Sequence, residues 1–407
     1  MSGIAIGIDL GTSGVRAALV DADREPVGQA SAPIAAADRR DPAAWWRAVE
    51  AAIGALGATH DLSGLRALAV DGTSGTILAI DADARPLGPA SLYNDQADAR
   101  SVERIDAIAP ADSAARGATS PLARLPAHGT ILHEADWIAG RLCGRFVSDA
   151  NNALKTGYDS RIHAWPDWIG DDLARLPNVV EPGTPIGTVL ADVAAAFGIP
   201  ATARVVAGTT DGCAAFLATG ADEPGDGVSS LGTTLTLKVL SDAPVFAPKF
   251  GIYSHRLLGR WLPGGASNTG GAALLAHFDA RTLAELSARI DPSRDSGLDY
   301  YPLPRPGERF PIADARFAPR ERPRPSDDAL FLHGLLEGIA RIEARAYQKL
   351  TELGAPKLRS VRSVGGGATN AVWTAIRARM LGVDLLAARS EEAAVGTAGL
   401  ALLGAAA

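Results

Sequence analysis

The chain has 407 residues, 47% of them hydrophobic and 21% charged, the balance of a soluble globular protein with room for two domains of ordinary size. A net charge of −7 argues against a nucleic-acid backbone as partner, because bulk attraction to phosphates needs a basic surface. Two cysteines, Cys143 and Cys213, cannot build a disulfide framework, and no basic leader or membrane-length apolar run is present, so a cytoplasmic protein without a membrane anchor is expected.

The opening residues alternate like a hairpin: a strand over 4–9, the turn Leu10-Gly11-Thr12-Ser13-Gly14, and a second strand over 15–20. Asp41-Pro42 then starts a helix, Asp as N-cap and Pro at the first helical position, with Trp45, Trp46, Val49, Ile53 and Leu56 on one face. A strand over 65–70 ends at Asp71 and the turn Gly72-Thr73-Ser74-Gly75, and a strand over 76–80 follows. Residues 98–200 read as mostly helical with irregular loops. A short strand over 205–207 stops at Gly208-Thr209-Thr210-Asp211 and gives way to a helix over 212–219. Residues 228–238 repeat the opening pattern of strand, Leu231-Gly232-Thr233-Thr234 turn, and strand. Near the end, a strand over 362–364 leads into Gly365-Gly366-Gly367 and a helix over 370–381. The recurrence of strand and glycine turn predicts two related α/β domains, 1–220 and 221–407, with the last helix free to pack back on the first.

Glycine turns after strands let backbone N–H groups point inward at phosphate, and hydroxyls beside them add donors. Gly11, Thr12 and Ser13 form one such turn, Gly232, Thr233 and Thr234 another, and Gly365–Gly367 a third; each is equally able simply to close a hairpin. A P-loop and a Gly-x-Gly-x-x-Gly dinucleotide fingerprint are absent from the sequence, as are His-Glu-x-x-His and Gly-x-Ser-x-Gly. Asp9, at the end of the first strand and expected to face the Thr12 turn, suits a Mg²⁺ ion held directly or through water, or an Asx turn. Asp211 is read as a general base or as a plain helix N-cap. Cys213 is read as a packing residue, and Lys155, one of only five lysines, as a solvated loop residue.

Taken together, these motifs resemble the FGGY carbohydrate kinases of the actin-like superfold. Asp9-Leu10-Gly11-Thr12-Ser13-Gly14-Val15-Arg16 is similar to the family's first phosphate motif, and Asp41-Pro42 with Trp45-Trp46 to its early helix. Gly208-Thr209-Thr210-Asp211 resembles the catalytic-base motif, and Ser230-Leu231-Gly232-Thr233-Thr234 the second phosphate turn. The stretches Gly264–Gly271 and Gly365–Asn370 look like nucleotide-side loops. The resemblance implies two ribonuclease-H-like domains flanking a central cleft, with ATP, Mg²⁺ and a sugar as ligands and a monomer or homodimer as the assembly. It implies that Asp9 places Mg²⁺ and that Thr12, Ser13 and Arg16 hold phosphates. Asp211 would be the base, Thr233 and Gly270 with Gly271 would line the nucleotide phosphates, and Gly366, Gly367 and Asn370 would flank adenosine.

On the sugar side the resemblance is looser. The family's Trp-x-Asp-x-Arg pattern reads here as Tyr93-Asn94-Asp95-Gln96-Ala97, which keeps Asp95 and loses the arginine. Asp71, Gly72 and Ser74 are the other expected sugar contacts. The chain is also shorter than is common in the family. Within it, Asn152-Ala153-Leu154-Lys155-Thr156-Gly157-Tyr158, Gly251-Ile252-Tyr253-Ser254-His255 and the 296–304 stretch resemble the short plant and cyanobacterial D-ribulose kinases once labelled xylulokinase-like. The expected activity is phosphorylation of D-ribulose at its terminal hydroxyl, with D-xylulose or a related polyol as the alternative substrate. A nucleotide-binding sugar sensor on the same fold is the alternative of another class.

Overall fold

A computed structural model describes residues 3–406. The described residues form two compact units, one comprising those up to 218, the segment 255–259 and those from 392 onward, the other residues 219–254 and 260–391.

In the first unit, β1 (Ile4–Gly11), β2 (Gly14–Val20) and β3 (Pro26–Pro33) form an antiparallel meander. Helix α1 (Pro42–Gly57) follows, its first turn capped by the Asp41 carboxylate, which accepts from the Ala43 N–H at 2.9 Å. Strand β4 (Leu65–Gly72) then pairs parallel with β1. A separate ribbon joins β5 (Ile77–Ile80) to β6 (Thr130–His133), and β6 runs into α2 (Glu134–Cys143). The edge strand β7 (Pro185–Thr188) and the parallel strand β8 (Arg204–Thr210) complete a six-stranded sheet of order β3-β2-β1-β4-β8-β7.

Both faces of β1 are covered, which is why it reads as an almost unbroken apolar run. Ile6, Ile8 and Leu10 face Trp45, Val49, Ile53 and Leu56 of α1, all buried, each such side chain contributing about 1.5–3 kcal/mol. Ala5 on the other face, with Ala67, Ala69 and Val206, meets the C-terminal helix Ala393–Ala406 through Ala394, Val395, Ala398 and Ala401. Small residues permit that approach: a Cβ on Gly7 would lie 2.0 Å from the Ala394 carbonyl oxygen, and one on Gly396 equally close to that of Ala214. The strand period therefore puts Asp9, like Ala5 and Gly7, on the face covered by this last helix.

The irregular middle of the chain differs from its mostly helical expectation. Strands β6 and β7 lie within it, and β8 extends through Gly208 to Thr210 instead of stopping at Ala207. Tertiary pairing with β4 carries Thr209 and Thr210 into a ladder that local propensity alone disfavours.

The second unit repeats the plan. Strands β9 (Asp226–Leu231), β10 (Leu235–Val239) and β11 (Arg260–Ser267) are antiparallel neighbours, and β12 (Ser360–Val364) and β13 (Asp384–Leu386) add parallel on the far side of β9. Their order, β11-β10-β9-β12-β13, matches β3-β2-β1-β4-β8 in the first unit. The 25-residue helix Asp328–Glu352 buries Phe331, Leu335, Leu336 and Ile339 in this unit's core. Helix Ala371–Leu381 adds Trp373 and Ile376 to the same core.

Candidate active site

In the first unit the parallel strands β1, β4 and β8 end at the same level. Asp9 lies opposite Asp71, and Asp71 lies opposite Thr209 in the ladder on its other side. Asp211 follows directly as the first residue of the helix Asp211–Ala218; it is half-buried and accepts from the Gly212 N–H at 2.6 Å. Strand ends in a sheet of this kind are where ligands bind, because loops diverge there and leave polar backbone exposed.

Four acidic side chains share this corner. Asp9 is buried, accepts from Arg16 Nη1 at 3.2 Å, and is raised above the usual carboxylate range by burial, an effect that the Arg16 guanidinium partly offsets. Asp71 is fully buried. One of its oxygens accepts from the Thr397 hydroxyl, and the other has no N–H or O–H donor beside it. Burial, then the Asp9 charge, pushes Asp71 well above the usual carboxylate range. Glu134, at the start of α2, accepts from the Thr73 N–H at 2.6 Å and is likewise raised well up by burial, with the charge of Asp211 adding to the rise. Burial thus disfavours the charged forms of both Asp71 and Glu134 at this corner.

The Gly11–Gly14 turn joins β1 to β2 with Ser13 exposed and Thr12 partly so. Arg16 stands on β2 beside it, more than half exposed, tied to Asp9 and 3.8 Å from Glu392. Asp9 is thus held by Arg16 beside this turn.

Two of the sugar-side residues, Asp71 and Gly72, need correction. Asp71 was expected to contact a sugar, but it is buried between Asp9 and Thr397 and presents nothing to a ligand. Gly72 is buried too, packed against Glu134. Ser74 has a buried hydroxyl without a partner in the structure, while its carbonyl accepts from Lys155 Nζ at 3.3 Å. Lys155 is consequently half-buried against this turn and not a solvated loop residue. Asp95 receives a two-point contact from Arg40, at 2.5 and 2.6 Å, and the Leu92 N–H at 2.8 Å, which hold its carboxyl down to about 2. Arg124 lies close by, donating to the Ser91 hydroxyl, the Leu92 carbonyl and the Gly75 carbonyl. Arginines 40 and 124 thus surround Asp95, where the local pattern has Ala97.

In the second unit the expected nucleotide residues do come together. The Gly232–Thr234 turn bridges β9 and β10, and its carbonyls at Gly232 and Thr233 accept from the N–H groups of Gly271 and Ala272 at 2.8 and 3.0 Å. Gly270 has φ +139°, and a Cβ there would lie 2.8 Å from the Thr234 backbone, so only glycine allows this backbone-on-backbone approach. The Gly365–Gly367 turn packs on Leu231 at the end of β9, with open space at Gly366. Asn370 caps the following helix through the Trp373 N–H at 3.0 Å and donates to Ser287 at 2.9 Å. Cys213 is fully buried.

Arg40, Glu134, Thr397 and the adjacent pair Asn151 and Asn152 were missed by the sequence reading. Among the described residues no three His, Cys, Asp or Glu side chains form a cluster able to hold a metal ion, and no helix is long and apolar enough to cross a membrane.

Two copies of a β-meander extended by parallel strands, each with glycine turns at its strand ends, are the plan of an actin-like, ribonuclease-H-like fold. Comparison with known proteins narrows this. The model of the FGGY family of carbohydrate kinases matches with its N-terminal domain over residues 4–116 and with its C-terminal domain over residues 227–405. The xylulose kinase of Escherichia coli (strain K12) is 29% identical over 419 aligned positions, covering 93% of this chain and 85% of that one. The xylulose kinase of Klebsiella pneumoniae is 30% identical over a shorter alignment, 63% of this chain and 59% of that one. Among solved structures, a xyloylose kinase from Brucella ovis superposes with a TM-score of 0.86 and 26% identity, covering 99% of this chain and 90% of that one. The chain belongs to the FGGY family of carbohydrate kinases and is a sugar phosphotransferase.

Proposed function

We propose that the protein is an ATP-dependent kinase of a five-carbon ketose, with D-ribulose as substrate and D-ribulose 5-phosphate as product. The observation that carries the kinase chemistry is the half-buried Asp211 directly after β8, in the corner it shares with Asp9, which stands on β1 just before the Thr12–Ser13 turn. In this reading Asp211 accepts the proton of the terminal sugar hydroxyl as its oxygen bonds to the γ-phosphorus of ATP, and the bond from that phosphorus to the β–γ bridging oxygen breaks. Thr12, Ser13 and Arg16 hold phosphate oxygens, and Thr233, Gly270 and Gly271 fix the rest of the phosphate chain. Gly366, Gly367 and Asn370 border the nucleoside.

Asp9 fits a magnesium ion that arrives with the nucleotide. A single strand-end carboxylate suits an ion that keeps most of its waters and takes one protein oxygen. Such an ion, when bound, supplies neutralisation of charge on the phosphates.

A ketopentose is supported by relatives named xylulose kinases. D-ribulose over D-xylulose is supported by the 152–158, 251–255 and 296–304 segments, and by a local pattern that has Ala97 in place of the arginine. The test is an ADP-release assay across D-ribulose, D-xylulose, L-ribulose, ribitol and glycerol, with the product's phosphate position read by NMR. The highest kcat/KM is expected for D-ribulose. If D-xylulose gives the highest value, the ribulose assignment is wrong and the kinase assignment stands.

A further inference from the structure

The end of β8 is held by more than its ladder. Its parallel pairing with β4 loses register between Val206 and Thr209, so the last residues before Asp211 are not fixed by an unbroken run of strand hydrogen bonds. The helical turn Ala150–Leu154 supplies two asparagines instead. Asn151 Nδ2 donates to the Thr209 hydroxyl at 2.8 Å, and Asn152 Nδ2 donates to the Thr209 carbonyl at 3.2 Å.

Each asparagine is itself oriented. Asn151 reads the backbone of Arg256 as a strand neighbour would, its Oδ1 accepting from the N–H at 2.8 Å and its Nδ2 donating to the carbonyl at 2.6 Å. Arg256 belongs to the 255–259 segment, which packs with the first unit although it lies far along the chain. Asn152 Nδ2 also donates to Asp149 Oδ2 at 2.6 Å, and Asp149 Oδ1 accepts both asparagine N–H groups at 2.8 and 3.1 Å. Thr209, Asn151, Asn152 and Asp149 are all 2% exposed or less. Polar groups are costly to bury, and a network whose four side chains are buried and hydrogen-bonded fixes geometry tightly.

We propose that Asn151 and Asn152 are positioning residues for the Asp211 carboxylate. By holding both the side chain and the carbonyl of Thr209, they fix the peptide that leads through Thr210 to Asp211, with the Arg256 backbone and Asp149 as their templates. This inference rests on the reading of Asp211 as the base. Neither asparagine touches a reacting atom; they act through Thr209. A purely stabilising clamp would lower the melting temperature and leave the turnover of the folded protein alone. A positioning clamp lowers kcat itself, since displacement of a reacting group by about 1 Å can cost about a hundredfold.

The experiment compares Asn151→Ala, Thr209→Val, Thr209→Ser and Asp211→Asn in the full-length protein. It measures kcat, KM for sugar and ATP, and melting temperature. Asn151→Ala and Thr209→Val are expected to lose about tenfold to a hundredfold in kcat, with KM for ATP changed by less than about threefold. Thr209→Ser keeps the accepting oxygen and is expected to stay within about threefold of the parent in kcat. If Asn151→Ala does not fold, the near-isosteric Thr209→Val against Thr209→Ser decides. Normal kcat in folded Asn151→Ala and Thr209→Val, with Asp211→Asn inactive, overturns the positioning role alone. Equal losses in Thr209→Ser and Thr209→Val overturn the hydrogen-bond account. Near-normal turnover in Asp211→Asn overturns the base reading, and the inference with it.

Discussion

Asp9 and Asp71 lie opposite each other in register on the parallel pair β1 and β4, and the Thr397 hydroxyl of the C-terminal helix donates to one carboxylate oxygen of Asp71. The last helix therefore contributes to the acidic corner, through a residue 326 positions away in sequence from the one it binds.

Asp71→Asn tests whether that buried acid is neutral. Burial raises the folded-state pKa of Asp71 above its unfolded value, so the folded state binds the extra proton. The sign follows: the Asp71 contribution is most favourable below the unfolded pKa and is lost as pH rises toward the raised value. Asn keeps the shape, can donate to Asp9 and can accept from Thr397. Urea unfolding from pH 4 to 8 should show Asp71→Asn gaining stability relative to the parent as pH rises. A relative loss that grows toward pH 8 would mean that Asp71 is ionised in the folded protein.

Arg40→Ala should act in the opposite pH direction. Asp95 is held down to about 2 by the Arg40 hydrogen bonds, so its contribution is present above the unfolded carboxylate pKa and disappears as pH falls toward 2. Arg40 is nearly half exposed, which limits the effect on stability to about 1 kcal/mol or less at pH 7. The larger consequence is expected in sugar binding, because the Asp95 carboxylate loses its fixed orientation. KM for the sugar should rise about fivefold while KM for ATP stays unchanged. An unchanged sugar KM would remove Asp95 from the sugar site.

The parts of this fold that were legible in sequence are those with a local signature. Asp41-Pro42 caps and starts α1 where the pattern places it, and the glycine turns at 11–14, 232–234 and 365–367 follow strands as read. Asp9 was legible as a strand-end acid, but its burial depends on a helix at the far end of the chain. Asp71 was misread for the same reason: an acid ending a strand beside a polar turn looks ligand-facing until Thr397 and the C-terminal helix cover it. Asn151 and Asn152 carry no local signal, since two asparagines in an irregular stretch look like a turn. Their partners, Thr209 and Arg256, are 58 and 105 residues from Asn151. The nearest available clue was the resemblance of residues 152–158 to one subgroup, which marks the stretch without giving it a task.

Asp211→Asn and Asp211→Ala separate chemistry from folding. The structure shows Asp211 bonding the adjacent Gly212 N–H at the start of its helix, an interaction Asn preserves. Turnover in Asp211→Asn should fall by about two to four orders of magnitude with little change in melting temperature. Asp211→Ala should lose turnover equally and about 1 kcal/mol of stability besides. Nucleotide affinity should hold in both, since the glycine turns and their backbone N–H groups supply it. Near-parental turnover in Asp211→Asn would leave this residue as a helix-start acid only.

Arg377 and Glu343 bring the second unit's helices and sheet to one point, and they give its sharpest stability test. Both side chains are completely buried, the guanidinium donating to the two carboxylate oxygens at 2.7 Å each and to Ser363 of β12 at 2.7 Å. Ser229 of β9 donates to the same carboxylate at 2.6 Å. Removing one partner leaves the other charge buried without its counter-ion. Arg377→Met should therefore cost about 3–5 kcal/mol. Glu343→Leu alone should cost a similar amount, because the guanidinium is then stranded. The double variant Arg377→Met with Glu343→Leu should recover most of either loss, since two apolar groups of similar size can fill the space the ion pair occupies. Urea unfolding of the four proteins at one pH measures all three differences. Additive losses in the double variant would show that the pair does not act as a unit, and that the buried charges find other compensation among Ser229, Ser363 and Tyr347.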